Sequence, residues 1–421
     1  MATEADGASL SGCKNRRVRL VLERAEVEDL IDRLSRRDAR IAEDPRAALE
    51  WLIAGEEEDE SAVFTRRRLQ LFLWYELPRK WLVEPDEHLA VAEAMGLFFD
   101  ELGPAASDLA TLCRDPKTTR LLQDRGEGFI EAIEASGLEP PDTPRLEWSD
   151  LMTIEESLER DAVAEMLEQA VDDGHLAPGA PGWRQRQAEL VEDYLVAERS
   201  ETTPLARIHA ARRQAWLELF DDGEERALLE ATTPQIEAIP TAADAEAAIE
   251  PLLWLLGRLA DGVNLTQTGA LPRALVRDAV DRYPEWWDSK LFGPPHREAE
   301  VYQLDVLHAL VDELKLARPR HGILKLGHRG RSLRADPSAL LSNIASTIAT
   351  TGGSAELDLA LAGLLCRDEH DFDFLLLHLL GPFCGIVGGR FRREAEVTPG
   401  GRTLAAAILR ARSKGPSYRF A

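Results

Sequence analysis

LLWLLGRLADGVNLTQTGALP, residues 252–272, and RPRHGILKLGHRGRSLR, residues 318–334, are the segments that decide the expected fold. The first opens inside a helix predicted over 245–260, where apolar residues recur at spacings of three and four and so form one buried face. These residues are Ile249, Leu252, Leu253, Leu256 and Leu259. Gly262 should end that helix.

Two further helices are expected after LTQTG at 265–269. We predict a short strand there that runs into a helix cap, because threonine can accept a backbone hydrogen bond and Pro272 suits the first turn of a helix. The next helix should span 272–283. The third should span 301–316, where apolar residues again recur at helical spacing. It is the candidate recognition helix.

The second quoted segment predicts a β-hairpin. Apolar residues alternate at Ile323 and at the Leu324/Leu326 pair, and the glycines between 327 and 330 would form the turn. Helix, strand, helix, helix and hairpin then follow one another in the order of a winged helix.

This hairpin segment is also the most cationic part of the chain. Between 314 and 335 there are seven lysines or arginines, two histidines and no carboxylate, although the whole chain has a net charge of −25. The cations are Lys315, Arg318, Arg320, Lys325, Arg329, Arg331 and Arg334. Guanidinium groups match phosphate oxygens, so we expect these residues to contact nucleic acid. The alternative is that they pair with some of the chain's own 75 carboxylates.

The run 251–345 is similar to a known protein module. The matching features are PLL at 251–253, LTQTGALP at 265–272, and 326–333 followed by Asp336-Pro337. They resemble a C-terminal module of uncharacterised actinobacterial proteins, some described as plasmid open-reading-frame or transposon-passenger proteins. The resemblance implies a winged-helix-like fold and no particular activity. This chain has Gly327 where such proteins often carry a threonine, which weakens the cap expected there.

A second unit is predicted at 350–421, because GRSL at 330–333 recurs as GRTL at 401–404. The sequence before the second copy resembles the strand-to-helix exit of small winged-helix repressors, in which a threonine caps the last helix. Eight cations lie in this tail. They are Arg390, Arg392, Arg393, Arg402, Arg410, Arg412, Lys414 and Arg419. If both basic segments shared one face, the C-terminal third would be cationic.

The rest of the chain predicts helices. Residues 1–15 should form a disordered tail, and a short strand near 18–22 should open a helical domain at 16–140. This domain contains a long apolar helix over 62–82. Glycine and prolines at 136–150 predict a domain boundary, followed by a helical domain at 150–240 and the winged-helix-like domain at 245–345. The expected fold class is mainly α, with a helical N-terminal array before one or two winged-helix-like units with short β-hairpins.

Composition and motifs narrow the function. The acidic pI of about 4.9 and the absence of a membrane-length apolar run predict a cytoplasmic protein that does not bind membranes. Cysteines 13, 113, 366 and 384 form no C-x-x-C pair. No phosphate-cradling or catalytic motif is present, so we expect neither an enzyme nor a bound cofactor.

Two smaller features have structural explanations that we prefer. The acidic and histidine residues at 368–373, with His378, could ligate a metal, but acidic residues also favour the start of a helix, and we expect no metal. Trp286 and Trp287 could stack on a base or on a partner's side chain, but such pairs more often pack under a loop.

Two classes of function remain open. The first is a regulatory protein that binds duplex DNA through the helix 301–316 and its hairpin. The second is a protein-interaction scaffold with no catalytic role. Asp305, Asp312 and Glu313 on the candidate recognition helix count against the first class, because DNA phosphates would repel them.

Overall fold

The computed structural model describes residues 19–37, 44–54, 61–81, 84–199, 201–220, 223–351, 354–366, 374–387 and 396–416. Within these residues the chain is mainly α-helical with a few short antiparallel strand pairs, as the sequence predicts. The expected tail at 1–15 lies outside the described residues. No described helix combines the length and the apolar composition that crossing a bilayer requires.

The described residues form two compact units. The N-terminal unit comprises those up to Trp148 together with Ile154–Arg207. The C-terminal unit comprises Ser149–Thr153 together with those from Ile208 onward. Each unit has a hydrophobic core of its own.

Helices dominate the N-terminal unit. They are α1 (Arg24–Arg37), α2 (Asp44–Ala54), α3 (Arg66–Leu71), α4 (Leu77–Lys80), α5 (Pro85–Glu101), α6 (Ser107–Cys113), α7 (Pro116–Gln123), α8 (Phe129–Ser136), α9 (Ile154–Asp172) and α10 (Trp183–Val196). The strands β1 (Arg19–Glu23) and β2 (Ser61–Thr65) pair antiparallel. Phe64 of β2 contacts Phe98 and Phe99 of α5 in the core. This aromatic cluster fixes the small sheet against the helices.

The helix predicted over 62–82 is wrong at its start. Residues 61–65 form a strand that pairs with β1, and Ala62, Val63 and Phe64 are buried in succession. Thr65 Oγ1 then accepts a 3.2 Å hydrogen bond from Arg68 N, so that α3 is capped only after the strand ends. A π-helical turn, Phe72–Glu76, connects α3 to α4, and Pro78 lies in the first turn of α4.

The proline-rich segment 136–150 is a packed loop that belongs to the N-terminal unit as far as Trp148. Leu146 is buried there. Gln187 Nε2 donates hydrogen bonds of 2.9 Å to two carbonyl oxygens of the segment. The chain passes from the N-terminal to the C-terminal unit between Trp148 and Ser149 and returns at Ile154.

The C-terminal unit begins within α11 (Pro204–Leu217). Its further helices are α12 (Glu224–Ala231), α13 (Thr233–Glu237), α14 (Ala242–Ala248), α15 (Glu250–Leu259), α16 (Arg273–Arg282), α17 (Ser289–Phe292), α18 (Tyr302–Glu313), α19 (His328–Arg334), α20 (Pro337–Thr351), α21 (Ala355–Cys366), α22 (Phe374–Leu380) and α23 (Pro399–Lys414). Its strands are β3 (Val263–Asn264), β4 (Ala317–Arg320), β5 (Ile323–Leu326), β6 (Ile386–Val387) and β7 (Glu396–Val397).

The single helix predicted over 245–260 is two helices, α14 and α15. The break falls at Ile249, whose φ is −121° and ψ is 18°, because Pro251 in the first turn of α15 lacks the N–H that would continue α14. The buried face of α15 includes Leu255 and leaves Leu253 only half-buried. Leu256 of α15 and Leu307 of α18 are fully buried, as predicted.

Three strands form one antiparallel sheet in the order β3–β5–β4. Val263 pairs with Leu324, and Ala317 pairs with Leu326. The strand expected at 265–269 is wrong: β3 ends at Asn264 and is followed by a turn. Because Pro272 is the N-cap of α16 and has no side-chain donor or acceptor, the threonine cap expected for this helix is also wrong.

The hairpin turn lies earlier than the sequence pattern predicts. His321 and Gly322 have φ values of 50° and 77° and connect β4 to β5 as a two-residue loop. The glycines at 327–330 instead begin α19, so the predicted turn there is wrong. Arg329, Arg331 and Arg334 consequently lie on a helix and not on the hairpin.

The candidate recognition helix is shorter than the predicted 301–316. Lys315 adopts a left-handed φ of 53°, and Leu316 N donates a 2.9 Å hydrogen bond to Val311 O. This pair of features closes the C-terminus of α18. The chain then enters β4 directly.

The entry into α19 is repeated at the entry into α23. Leu316 O accepts a 2.9 Å hydrogen bond from Gly327 N, and Gly385 O accepts one of 2.9 Å from Thr398 N. A Cβ on Gly330 would stand 2.1 Å from Leu316 O, and a Cβ on Gly401 would stand 2.2 Å from Gly385 O. The two glycines of the GRSL and GRTL sequences therefore occupy equivalent positions. Only Thr398 adds a side-chain cap, through its 2.8 Å bond from Gly401 N.

Candidate nucleic-acid interface

The hairpin β4–β5 has an apolar inner side and a cationic outer side. Strand alternation turns Ala317, Leu324 and Leu326 into the core, where they are buried. The exposed residues on the opposite side are Arg318, Arg320, Ile323 and Lys325. The alternation that the sequence showed thus sorts the cations onto one side of the hairpin.

Arg318 and Lys325 are placed directly opposite each other on neighbouring strands. Like charges in this position destabilise a sheet, since their side chains start only about 5 Å apart. Arg320 is opposite Ile323, which remains 41% exposed. The three strands themselves contain no carboxylate. The outer side therefore holds cations together without compensating charge from the sheet.

None of the seven predicted site cations forms an ion pair with a carboxylate among the residues that the structure describes. All seven are exposed. In the same unit, Arg258 pairs with Asp278 and Arg282 pairs with Glu250. The expected alternative, internal neutralisation, thus occurs at other arginines of the unit and does not occur at these seven within the described chain.

Three of the seven cations lie on α19, and two of them, Arg329 and Arg331, have neutral hydrogen-bond partners. Arg329 Nη2 donates a 2.9 Å hydrogen bond to Asn343 Oδ1. Arg331 Nη1 donates one of 2.8 Å to Leu326 O at the end of β5. The Arg334 guanidinium passes over α15, with Nη2 3.5 Å from where a Cβ of Gly257 would stand. Within the described residues no carboxylate pairs with these three arginines, and hydrogen bonds orient Arg329 and Arg331.

The turn after β3 lies against the hairpin tip, which the sequence did not reveal. Leu265 N donates a 2.7 Å hydrogen bond to Gly322 O. Thr266 Oγ1 accepts one of 3.0 Å from Ala270 N and so holds the turn in shape. Gln267 is exposed in this turn, two residues after the Leu265 N–H that contacts the hairpin tip. Because β3 has only two residues, the sequence contains too short an alternating pattern to predict that this turn lies near the hairpin tip.

The exposed side of α18 is acidic. Leu304, Leu307 and Val311 face the core, whereas Asp305 and Asp312 are exposed. Glu313 and Ala309 are exposed as well. The helix that should read base edges in a winged helix thus presents carboxylates to solvent.

A part-buried hydrogen bond between Glu298 and His308 connects α18 to the start of α16. Glu298 Oε1 lies 2.7 Å from His308 Nδ1, and Glu298 Oε2 accepts a 2.6 Å hydrogen bond from Leu271 N. The hydrogen bond with Glu298 raises the pKa of His308 above its ordinary value of 6.5, despite the opposing effect of burial. This contact fixes where the 266–270 turn ends.

The second basic segment is engaged inside the unit. Arg412 makes two 2.9 Å hydrogen bonds to the buried Asp358. Arg402 Nη1 donates to Leu364 O at 3.0 Å, and Arg410 donates to carbonyl oxygens at the end of α13. Arg390, Arg392, Arg393 and Arg419 lie outside the described residues. Arg402, Arg410 and Arg412 of α23 therefore bond to groups inside the unit, in contrast to the cations of 315–334.

The two tryptophans at 286–287 pack within the unit, as their structural explanation predicts. Trp286 is buried and stacks on Tyr283 with ring centroids 4.4 Å apart. Trp287 Nε1 donates a 2.7 Å hydrogen bond to Gly293 O under the following loop. The acidic residues at 368–373 lie outside the described chain, and His378 meets the Tyr302 ring edge-on at 4.5 Å.

Comparison with known proteins bears on this region alone. No curated protein and no solved structure matches the chain. Residues 253–339 match a protein family described as the Y4jL N-terminal domain. The matched segment starts in α15, ends in α20 and contains the three-stranded sheet with all seven cations. Within these bounds the chain is similar to the Y4jL N-terminal domain.

Proposed function

We propose that the protein is a regulatory, non-catalytic protein that binds duplex DNA through a winged helix formed by α15, α16, α18 and the sheet β3–β5–β4. The sheet order supports this fold, because a strand between the first two helices pairs with the second strand of the hairpin. The observation that carries the function is the set of seven exposed cations without a carboxylate partner in the described chain. Phosphate oxygens would supply the missing charge.

The net charge of −25 does not decide against this proposal. Exposed charges are screened over a Debye length of about 8 Å at physiological ionic strength. Phosphates in contact with Arg318 and Lys325 would therefore interact mainly with the local cations. The acidic remainder would slow the approach of DNA and make binding depend on salt.

The replacement of Arg318 and Lys325 by alanine tests the proposal. In mobility-shift titrations we expect weaker binding to every duplex sequence and a log–log salt slope that is smaller by about 0.9 for each lost phosphate contact. The control is Arg120→Ala with Arg145→Ala, which removes the same charge from exposed positions of the N-terminal unit. This control should bind as the wild type does.

An interaction scaffold is the second candidate, and the acidic side of α18 favours it. A protein that presents both Asp312 and Arg318 could dock a partner of mixed charge. No mobility shift at micromolar wild-type protein in about 50 mM salt, where phosphate binding is strong, would exclude the DNA proposal and leave the scaffold.

We place the function in the cytoplasm. Cys113, Cys366 and Cys384 are free thiols. Free thiols are typical of a reducing compartment, which supports this location.

A further inference from the structure

The two surfaces that a winged helix can offer to DNA have opposite charge in this protein. The outer side of the sheet carries Arg318, Arg320 and Lys325. The exposed side of α18 carries Asp305 and Asp312, which are seven residues apart and thus nearly aligned along the helix. A phosphate backbone attracts the first surface and repels the second.

Neutral hydrogen-bonding groups extend the cationic surface. Asn264 pairs with Ile323 across β3 and β5, and both are exposed. The bond from Leu265 N to Gly322 O sets Gln267 beside the hairpin tip. Amide side chains contact phosphate and sugar oxygens in DNA complexes without reading a sequence. The turn thus adds polar contacts where the sheet ends.

We propose that the outer side of the sheet and the turn 266–269 hold the duplex, while α18 faces away from it. This inference rests on the proposed function of DNA binding. The ligand is then the sugar-phosphate backbone of duplex DNA of any sequence. Gln267 is a binding residue of this surface, and α18 does not enter the major groove.

Ala309 offers a direct test, because it lies at the middle of the exposed side of α18. In the full-length protein, Ala309→Trp would collide with the groove if α18 read base edges. We expect its affinity for a duplex of random sequence to stay within roughly threefold of the wild type, since the indole would face solvent. Ala309→Glu adds a negative charge on a side chain smaller than that of tryptophan. It should also leave affinity unchanged.

Gln267→Ala tests the turn. It removes a neutral contact, so we expect weaker binding with an unchanged salt slope. Arg318→Ala with Lys325→Ala should lower the slope, which distinguishes the two kinds of contact. Circular dichroism and the thermal midpoint of each variant confirm that it folds.

Two sets of results separate the hypotheses. If the wild type does not shift DNA at all, the proposed function fails. If the wild type binds but either Ala309 variant loses more than roughly threefold in affinity, α18 contacts DNA and this inference is overturned while the function stands. Unchanged affinity in Gln267→Ala would likewise overturn the assignment of the turn.

Discussion

At the scale of single residues, two glycines allow the first turns of α19 and α23 to pack closely against the residues that precede β4 and β6. Gly330 leaves its backbone close enough to Leu316 for the strand end and the helix start to touch. Gly401 does the same at Gly385. The need for glycine here comes from close approach and not from backbone conformation, since both residues are helical.

Gly330→Ala should therefore destabilise the C-terminal unit. The new methyl group would stand 2.1 Å from Leu316 O, which forces the backbone to move. We expect a loss of about 1–3 kcal/mol in urea unfolding. The control is Gly363→Ala in α21, where no atom lies within 4 Å of the new group and higher helix propensity should stabilise by about 0.5–1 kcal/mol. Equal effects at both sites would contradict the close-approach explanation.

The cluster of cations at 315–334 could be recognised from the sequence, but its surroundings could not. A window rich in arginine and free of carboxylates is visible in 314–335. Pairing depends on distant parts of the chain, such as Asp358, which neutralises Arg412 across 54 positions. The role that we propose for Gln267 also depends on the hydrogen bond from Leu265 to Gly322, which has no local signature.

At the scale of elements, the periodicity of apolar residues predicts which segments are helical and which helix faces are buried. It does not predict where the helices and strands end. Leu307 is buried as its spacing predicts. The end of α18 was missed because Lys315 takes a left-handed conformation that is usual for glycine. The turn at His321–Gly322 did have a signal, namely a glycine between two runs that alternate.

The link between α18 and the 266–270 turn should respond to pH. Because pairing with Glu298 raises the pKa of His308 above 6.5, its contribution to stability is complete below about 6.5 and is lost as pH rises through the raised pKa. We expect the urea midpoint of the C-terminal unit to fall across that window. His308→Gln, which can still donate to Glu298, should remove most of this dependence.

Glu168 in the N-terminal unit provides an internal contrast. Burial raises its pKa from 4.5 to about 7, so stability there falls as pH rises between these two values. The slope that His308→Gln abolishes should therefore belong to the C-terminal unit only. A wild-type midpoint that stays flat above pH 6.5 would contradict the assignment to His308.

At the scale of the whole molecule, the chain consists of two units with separate cores. The sequence predicts a mainly α chain and a boundary at 136–150. The chain does pass between the units at Trp148–Ser149, but its return to the N-terminal unit over Ile154–Arg207 has no signal in composition. Glycine and proline content indicates where the backbone forms turns and loops. The extent of a compact unit depends instead on which side chains pack together. Leu146 and Gln187 supply that packing and could not be paired from the sequence.

Leu307→Ala tests whether each core acts by itself. The lost methyl groups and the remaining cavity should cost about 2–5 kcal/mol in the C-terminal unit. Peptide-resolved hydrogen exchange should then show faster exchange in α15 and α18, with α5 in the N-terminal unit unchanged. Leu253→Ala, at a half-buried position, should have a smaller effect. Equal loss of protection in α5 would contradict separate cores.

The order β3–β5–β4 leaves β4 at an edge of its sheet, and Pro319 lies at the centre of that edge. Arg320 and Ile323 flank the two-residue loop and form a hydrogen-bonded pair. The next pair, Pro319 and Leu324, is therefore not hydrogen-bonded, and the nitrogen of Pro319 points away from β5 towards solvent. A strand from another molecule would find no N–H there and would meet Arg318 and Arg320 on either side. The arginines that we propose to contact DNA therefore also disfavour amyloid-like pairing of this edge with a strand of another molecule.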